Sequence, residues 1–262
     1  MSAEIASING VLSDVSAAYI PATDDGLLRG DGVFEVARLY SGVPFALEEH
    51  YVRLAASAAN LRLPYDEVAL KAEVAAVLSE YGSRNGCLRI VITRGGIRLL
   101  LTEPLPARGL AVSLASVTYQ PSVVLDGVKS LSYAANMLAG RLAVEKGADE
   151  ALLITPEGMV LEAPTSTFFW VTNSEVFTPP LADRILESIT RRHILTITGA
   201  TEKSVHLPEL LENAEEAFLA STTREIQAVS AVDGHQLPVN GPMTDDLAGR
   251  LSDLVGSALA GS

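Results

Sequence analysis

The chain is short of cysteine, lysine, histidine and positive charge. One cysteine, Cys87, stands in 262 residues. A lone thiol cannot close a disulfide within the chain, and the start MSAEIASING lacks a basic region followed by an apolar core, so a cytoplasmic location is expected. Charged residues interrupt every apolar run well short of the roughly 20 residues a membrane helix needs. The mean hydropathy of +0.27 therefore points to a rich core and not to a membrane span. Nineteen basic residues against 32 acidic ones give a formal charge of −13. That excludes a broad nucleic-acid or anionic-membrane surface, since both partners require a concentrated positive field, and it means that an anionic ligand must be held by local donors. The four histidines (His50, His193, His206, His235) are widely spaced with no carboxylate cluster beside them, so no metal site is expected. The sequence also lacks GxxxxGK[ST], GxGxxG, HExxH, CxxC and GxSxG, which removes phosphate-loop nucleotide hydrolysis, zinc hydrolysis and serine-elbow chemistry from consideration.

What remains is a globular chain, 48% hydrophobic, long enough for one large or two modest domains. Hydrophobic periodicity predicts a small α+β domain over residues 1–119. Its elements are a strand from Val33 to Tyr40 turning at Ser41-Gly42 into a second strand, a helix from Leu47 to Leu63 ended by Pro64, and a helix from Asp66 to Tyr81. Strands from Cys87 to Thr93 and from Leu110 to Val117 follow. Residues 120–127, with Pro121 and no helical period, read as a linker. Residues 128–262 read as a larger domain opening with a helix from Ser130 to Lys146. Strands at Ala151 to Ile154, Met159 to Leu161, Thr167 to Thr172 and Val176 to Thr178 come next, then a helix from Leu186 to Thr198. Strands near Ser204, at Glu216 to Ala220 and at Ile226 to Val232 precede a helix from Thr244 to Ala258.

Lysine is rare here: Lys71, Lys129, Lys146 and Lys203 stand against fifteen arginines. Lys129 lies between the linker and an alanine-rich segment of buried-type composition. Apolar packing disfavours a charged amine, which is what a Schiff-base nucleophile requires; the same position equally suits a helix-start lysine reaching out to water. Glu162 reads as a strand-end acid, Arg53 as a helix-face cation and Ser188 as a helix N-cap, with the following amides forming an anion site or an ordinary helix start.

Several motifs occur in order: DDGLLRGDGVFEVARLYSGVPFALEEHYVRL, KSLSYAANMLA, GADEALL, LEAPTSTFFWV, TPPL, ILESITRRHIL and STTREI. Together they resemble the class IV aminotransferases, from about Pro21 to the C-terminus. The resemblance implies fold type IV, with a small α/β N-terminal domain and a larger, mixed, β-barrel-like domain with helices. It implies pyridoxal 5′-phosphate as cofactor, ping-pong amino transfer between an amino acid and a 2-oxo acid through pyridoxamine phosphate, and a homodimer whose active sites lie between the domains. Lys129 matches the lysine bonded to the cofactor, which also carries the proton during transfer. Glu162 matches the partner of the pyridine nitrogen, which keeps the ring an electron sink. Arg53, Ile189, Thr190, Ser221 and Thr222 match phosphate ligands, and Leu186 the residue packed on the ring. Phe34, Val36, Arg98 and Thr223 match substrate-binding positions.

The sequence departs from the family pattern at Ala163, Thr167 and Ser188. It also has Ala134 where branched-chain enzymes carry a tyrosine, which leaves the partner of the cofactor's phenolic oxygen open. GDGVFEV and the TRGGIR element resemble the D-amino-acid enzymes, with Arg98 as a clamp for the substrate carboxylate. Leu100 replaces the histidine usual in that group, and Arg98 also reads as a loop cation near Glu103. Branched-chain aminotransferase, aminodeoxychorismate lyase and a non-catalytic cofactor-binding protein stand as alternatives. Glu35 is compatible with full transamination, or pairs with Arg38 on the sheet.

Overall fold

A computed structural model describes residues 4–261 and divides them into two compact units. The first runs through Pro106 and takes back residues Val128–Tyr133. It contains β1 (Ile5–Ile8), β2 (Val11–Asp14), α1 (Asp25–Arg29), β3 (Gly32–Tyr40), β4 (Val43–Pro44), α2 (Leu47–Asn60), α3 (Glu67–Tyr81), β5 (Gly86–Thr93) and β6 (Arg98–Glu103). The strands form one antiparallel sheet in the order β2-β1-β6-β5-β3-β4.

Strand alternation sorts the side chains of this sheet. Val33, Leu39, Leu88, Ile90, Ile92 and Leu100 pack on Leu54 and Ala58 of α2 and on Leu70, Val74 and Val77 of α3. Phe34, Val36, Arg38 and Tyr40 therefore point to the other face. Helix α3 starts at Glu67, one residue inside the expected range, because the Asp66 carboxylate caps it by accepting from the Ala69 amide. Helix α2 stops at Asn60, before Pro64, because Arg62 turns left-handed (φ 52°) and the Leu63 amide folds back onto the Ala58 carbonyl.

The segment from Ser130, expected to begin a helix, instead lies along β3 and bends at Leu131, and the helix starts only at Ala134. The Phe34 amide donates to the Lys129 carbonyl (3.1 Å) and the Leu131 amide to the Gly32 carbonyl (2.9 Å), with Ser130 bridged to Val33. The edge of β3 offers these backbone groups partners at once, whereas a first helical turn leaves its amides unpaired. Gly32 permits the approach: a Cβ there would lie 2.6 Å from Leu131 Cδ1 and 2.4 Å from the Ile92 carbonyl oxygen.

The second unit comprises Ala107–Gly127 and the chain from Ala134 onward. It contains β7 (Ala111–Thr118), α4 (Ala134–Glu145), β8 (Glu150–Ile154), β9 (Thr167–Thr172), β10 (Glu175–Thr178), α5 (Ile189–Thr198), β11 (Thr201–Glu202), α6 (Leu207–Asn213), β12 (Glu216–Ser221), β13 (Glu225–Val232), β14 (His235–Gln236) and α7 (Pro242–Ala260). The mixed sheet runs β11-β10-β9-β12-β13-β7-β8, with β14 added on β13. One face carries Val112, Leu152, Phe168, Trp170, Leu219 and Val229. The other carries Phe169, Val171, Phe218 and Ala220 against Ile194 of α5 and Leu247 of α7. Helix α4 packs Ala139 and Ala143 on Ala115, Val117 and Leu153.

The α+β class is as expected, but the boundary differs. Strand β7, assigned by position to the first domain, pairs in parallel with β8 and β13, so the division falls at 106/107 and residues 120–127 belong to the second unit. Met159 to Leu161 forms only isolated bridges to His206 and Ile154, and the helix expected from Leu186 begins at Ile189. Among the described residues no helix is long and apolar enough to cross a membrane.

Candidate active site

The pairing of residues 128–131 with β3 decides where Lys129 points. With Ser130 opposite Val33, Lys129 falls beside Phe34 and shares its face of the sheet. Its Nζ lies 4.4 Å from the centre of the Phe34 ring and 5.9 Å from that of Tyr133, and these two rings meet edge to face at 5.3 Å. The Ser57 hydroxyl accepts from the Lys129 amide (3.1 Å), tying the segment to α2. Val36, two residues along β3, shares this face.

Arg53 and His50 lie one helical turn apart on α2, so both reach the same point on the sheet. That point is Glu35, which is fully buried. Arg53 Nε and Nη2 donate to its two oxygens at 2.6 Å each, and His50 Nδ1 lies 2.7 Å from Oε2. Burial pushes the Glu35 carboxyl upward, but the hydrogen bonds and charges of Arg53 and His50 outweigh it and hold the carboxyl at about 2. Burial is also the main influence on His50 and lowers it, helped by the charges of Arg53 and Lys129 against the pull of Glu35. The arrangement is a neutral imidazole donating from Nδ1 to a carboxylate that Arg53 neutralises. Glu35 thus pairs with α2 and not with Arg38, because the alternation of β3 sends the two to opposite faces.

Arg98 departs from its expected role in the same way. It pairs with Ile92, which faces the helices, so its side chain lies on the opposite face from Lys129. There its Nη2 and Nε donate to the Glu73 carboxylate of α3 at 2.6 to 3.1 Å. A cation that shares the Lys129 face, besides Arg38, is Arg89, unremarked in the sequence. Its guanidinium lies 5.7 Å from the Phe34 ring and forks onto Glu103 at 2.8 and 2.9 Å. A charge set inside the apolar run CLRIVIT was the available signal.

The second unit gathers the other expected residues. Glu162 Oε1 accepts from the Leu186 amide (3.0 Å), and the carboxylate's charge, after burial, helps push the Tyr119 phenol up. Ser188 caps α5, its hydroxyl accepting from the Arg191 amide (3.3 Å). The amides of Ile189 and Thr190, at the first two helical positions, have no intrahelical acceptor, and the positive end of the helix dipole lies there. Both residues are buried. Ser221 ends β12 and closes a turn onto Glu225, with the Arg224 amide donating to the Ser221 carbonyl (3.2 Å). Thr222 and Thr223 form the turn, and the Thr223 carbonyl accepts from Arg108. The first unit therefore groups Lys129, Phe34, Val36 and Arg53 around β3, and the second groups Glu162 with Leu186, and Ile189 and Thr190 at a helix start, with Ser221 to Thr223 at a strand end.

The amino-transferase class IV family model matches residues 32–232. The chain is 31% identical to a D-alanine aminotransferase of Bacillus licheniformis, over 96% of this chain and 97% of the relative. A solved fold IV-transaminase from Curtobacterium pusillum superposes with a TM-score of 0.85 at 27% identity, covering 97% of this chain and 99% of that one. A branched-chain aminotransferase from Thermoproteus uzoniensis, solved with norvaline, gives a TM-score of 0.85 at 28% identity, covering 96% and 94%. With these matches and the grouping of residues above, the chain belongs to the class IV aminotransferases, transaminases that work with pyridoxal 5′-phosphate.

Proposed function

We propose that Lys129 is the covalent anchor of the cofactor in this transaminase, and that D-amino acids are among its amino donors. The observation carrying the first part is the register that sets the Lys129 amine beside Phe34. The donor set fits pyridoxal 5′-phosphate: one amine for the aldehyde, one carboxylate for a protonated ring nitrogen, and helix-start amides and hydroxyls for a phosphate.

When bound, the cofactor supplies an electron sink for the carbanion formed at the substrate Cα. The remaining tasks fall to the chain. Lys129 Nζ would tether the cofactor and, once released from it, would hold the proton that moves at the substrate Cα. Glu162 would hold the ring nitrogen, its Oε1 kept in place by the Leu186 amide. The Ile189 and Thr190 amides with Ser221 and Thr222 would hold the phosphate in the second unit; in the first, Arg53, whose orientation is fixed by Glu35, is the candidate phosphate ligand. Phe34, Val36 and Thr223 bound the substrate position. A homodimer in the cytoplasm completes this reading; the single buried thiol suits a reducing compartment.

The D-amino-acid preference is supported by the full-length similarity to a D-alanine aminotransferase. A branched-chain preference is favoured by a different observation: Arg98, the cation that would clamp a D-substrate carboxylate, is held by Glu73. Two experiments separate these. In Lys129→Ala, borohydride should fix no cofactor onto the protein; cofactor still fixed there refutes the anchor. Purified wild type should convert D-alanine with 2-oxoglutarate faster than L-leucine. The reverse order selects the branched-chain reading, and pyruvate released from aminodeoxychorismate without amino transfer selects the lyase.

A further inference from the structure

The buried threonines of the chain are unequal. Thr93, Thr102, Thr178 and Thr244 each use the hydroxyl: on Asp24 (2.7 Å), from the Ile5 amide (2.8 Å), on the Phe168 carbonyl (2.9 Å) and on Glu216 (2.7 Å). Thr167 does not. It is 1% exposed, and its Oγ1 has no hydrogen-bond partner. Buried polar groups in native proteins are almost always satisfied, so an orphan calls for a partner of its own.

The place of Thr167 says which partner. It is the first residue of β9 and pairs with Ala220, the residue immediately before Ser221 on β12. Alternation puts its side chain on the face of Phe169 and Val171, the face that α5 and α7 cover. The orphan hydroxyl thus sits at the same end of the sheet as Ser221 and Thr222, on the side from which α5 presents the unpaired amides of Ile189 and Thr190. A helix start and a buried hydroxyl with no hydrogen-bond partner thus share one face and one end of the sheet, beside the strand end that leads into Ser221 and Thr222, within a chain carrying −13.

We propose that the Thr167 hydroxyl is a ligand of the cofactor phosphate, donating to one of its oxygens alongside the α5 amides. This rests on the assignment of the cofactor above. It predicts that the hydroxyl contributes to binding and not to the stability of the cofactor-free fold, since without an anion it is a desolvated donor.

The test is Thr167→Val, which exchanges the hydroxyl for a methyl of similar size, with cofactor-free protein titrated by pyridoxal 5′-phosphate and, separately, by pyridoxal. The phosphorylated ligand should bind about tenfold more weakly. Pyridoxal, which lacks the phosphate, should stay within about twofold, and the melting temperature of the cofactor-free variant should equal or exceed that of wild type. Unchanged affinity for the phosphorylated ligand overturns the proposal, as does an equal loss for both ligands or a lower cofactor-free melting temperature. Thr167→Ser keeps a donor and should hold affinity within about twofold of wild type; a loss like that of the valine variant also overturns it. The underlying reading fails separately, if wild type itself binds pyridoxal no more weakly than its phosphate.

Discussion

The two units hold their polar groups by a different balance of means. In the first, charge is matched to charge on side chains: Glu35 with Arg53, beside the neutral His50, Glu73 with Arg98, Asp31 with Arg94. In the second, Arg224 pairs with Glu150 and Arg191 with Glu202, but backbone termini and small side chains carry much of the holding: a serine cap on α5, the Glu216 carboxylate across the Met243 and Thr244 amides of α7, an amide on Glu162. An ion network is strong when complete and costly when one member is lost, because the others remain buried and charged. A main-chain cradle degrades by smaller steps, one hydrogen bond at a time. The first unit should therefore be the more sensitive to charge removal and to acid.

Glu35→Gln tests this at its strongest. The change leaves Arg53 facing a neutral amide in a dry site, and chemical denaturation should show a loss of about 3 kcal/mol, at the low end for breaking a buried pair. A loss under about 1 kcal/mol would erase the contrast between the units. The pH dependence follows from the same group. Its folded value of about 2 lies below the ordinary 4.5, so its contribution is complete above 4.5 and disappears as pH falls toward 2. His50, lowered from 6.5, acts in the same direction: unfolded chains take up its proton first, so stability begins to decline once pH drops below about 6.5. Acid titration of unfolding should show both phases in wild type, and Glu35→Gln should lose the lower one.

Arg98→Ala should cost about 2 kcal/mol by orphaning Glu73, itself only 9% exposed, while leaving KM within about twofold. A large rise in KM at unchanged stability would return Arg98 to the substrate. Ser188→Ala in the second unit should be the mildest, about 1 kcal/mol for a lost N-cap, measured by thermal unfolding.

The elements with strong periodicity were legible in advance. Helix α3, β3, β5, β12 and β13 lie within a residue or two of expectation. What escaped were elements decided by partners far along the chain. The run RLLLTE of β6 buries Leu100 and Thr102 and leaves Leu99 and Leu101 half-exposed, but three leucines in succession hide that alternation, so the residue types alone did not mark it as a strand. Residues 128–133 carry an alanine-rich, helix-like neighbourhood, yet pair with a strand a hundred positions earlier. Face assignment was the deeper difficulty: Glu35, Arg38, Arg89 and Arg98 are all cations or acids in apolar runs, and only the register shows which of them share a face with Lys129. The motif residues of the second unit were legible as a set, but the solitary hydroxyl of Thr167 was not, since a lack of partners has no signature in sequence.

One feature of connectivity bears on how the protein is made. The first unit is not a continuous stretch: its β3 edge is completed by residues 128–131, some twenty positions after the chain has left for the other sheet. A nascent polypeptide with only residues 1–106 emerged from the ribosome would expose the Phe34 amide and the Gly32 carbonyl along an open strand, a surface prone to pair with other chains. Synthesis must continue past Tyr133 before that edge is sealed, so the segment that delivers the lysine also ends the most aggregation-prone interval of the chain's birth.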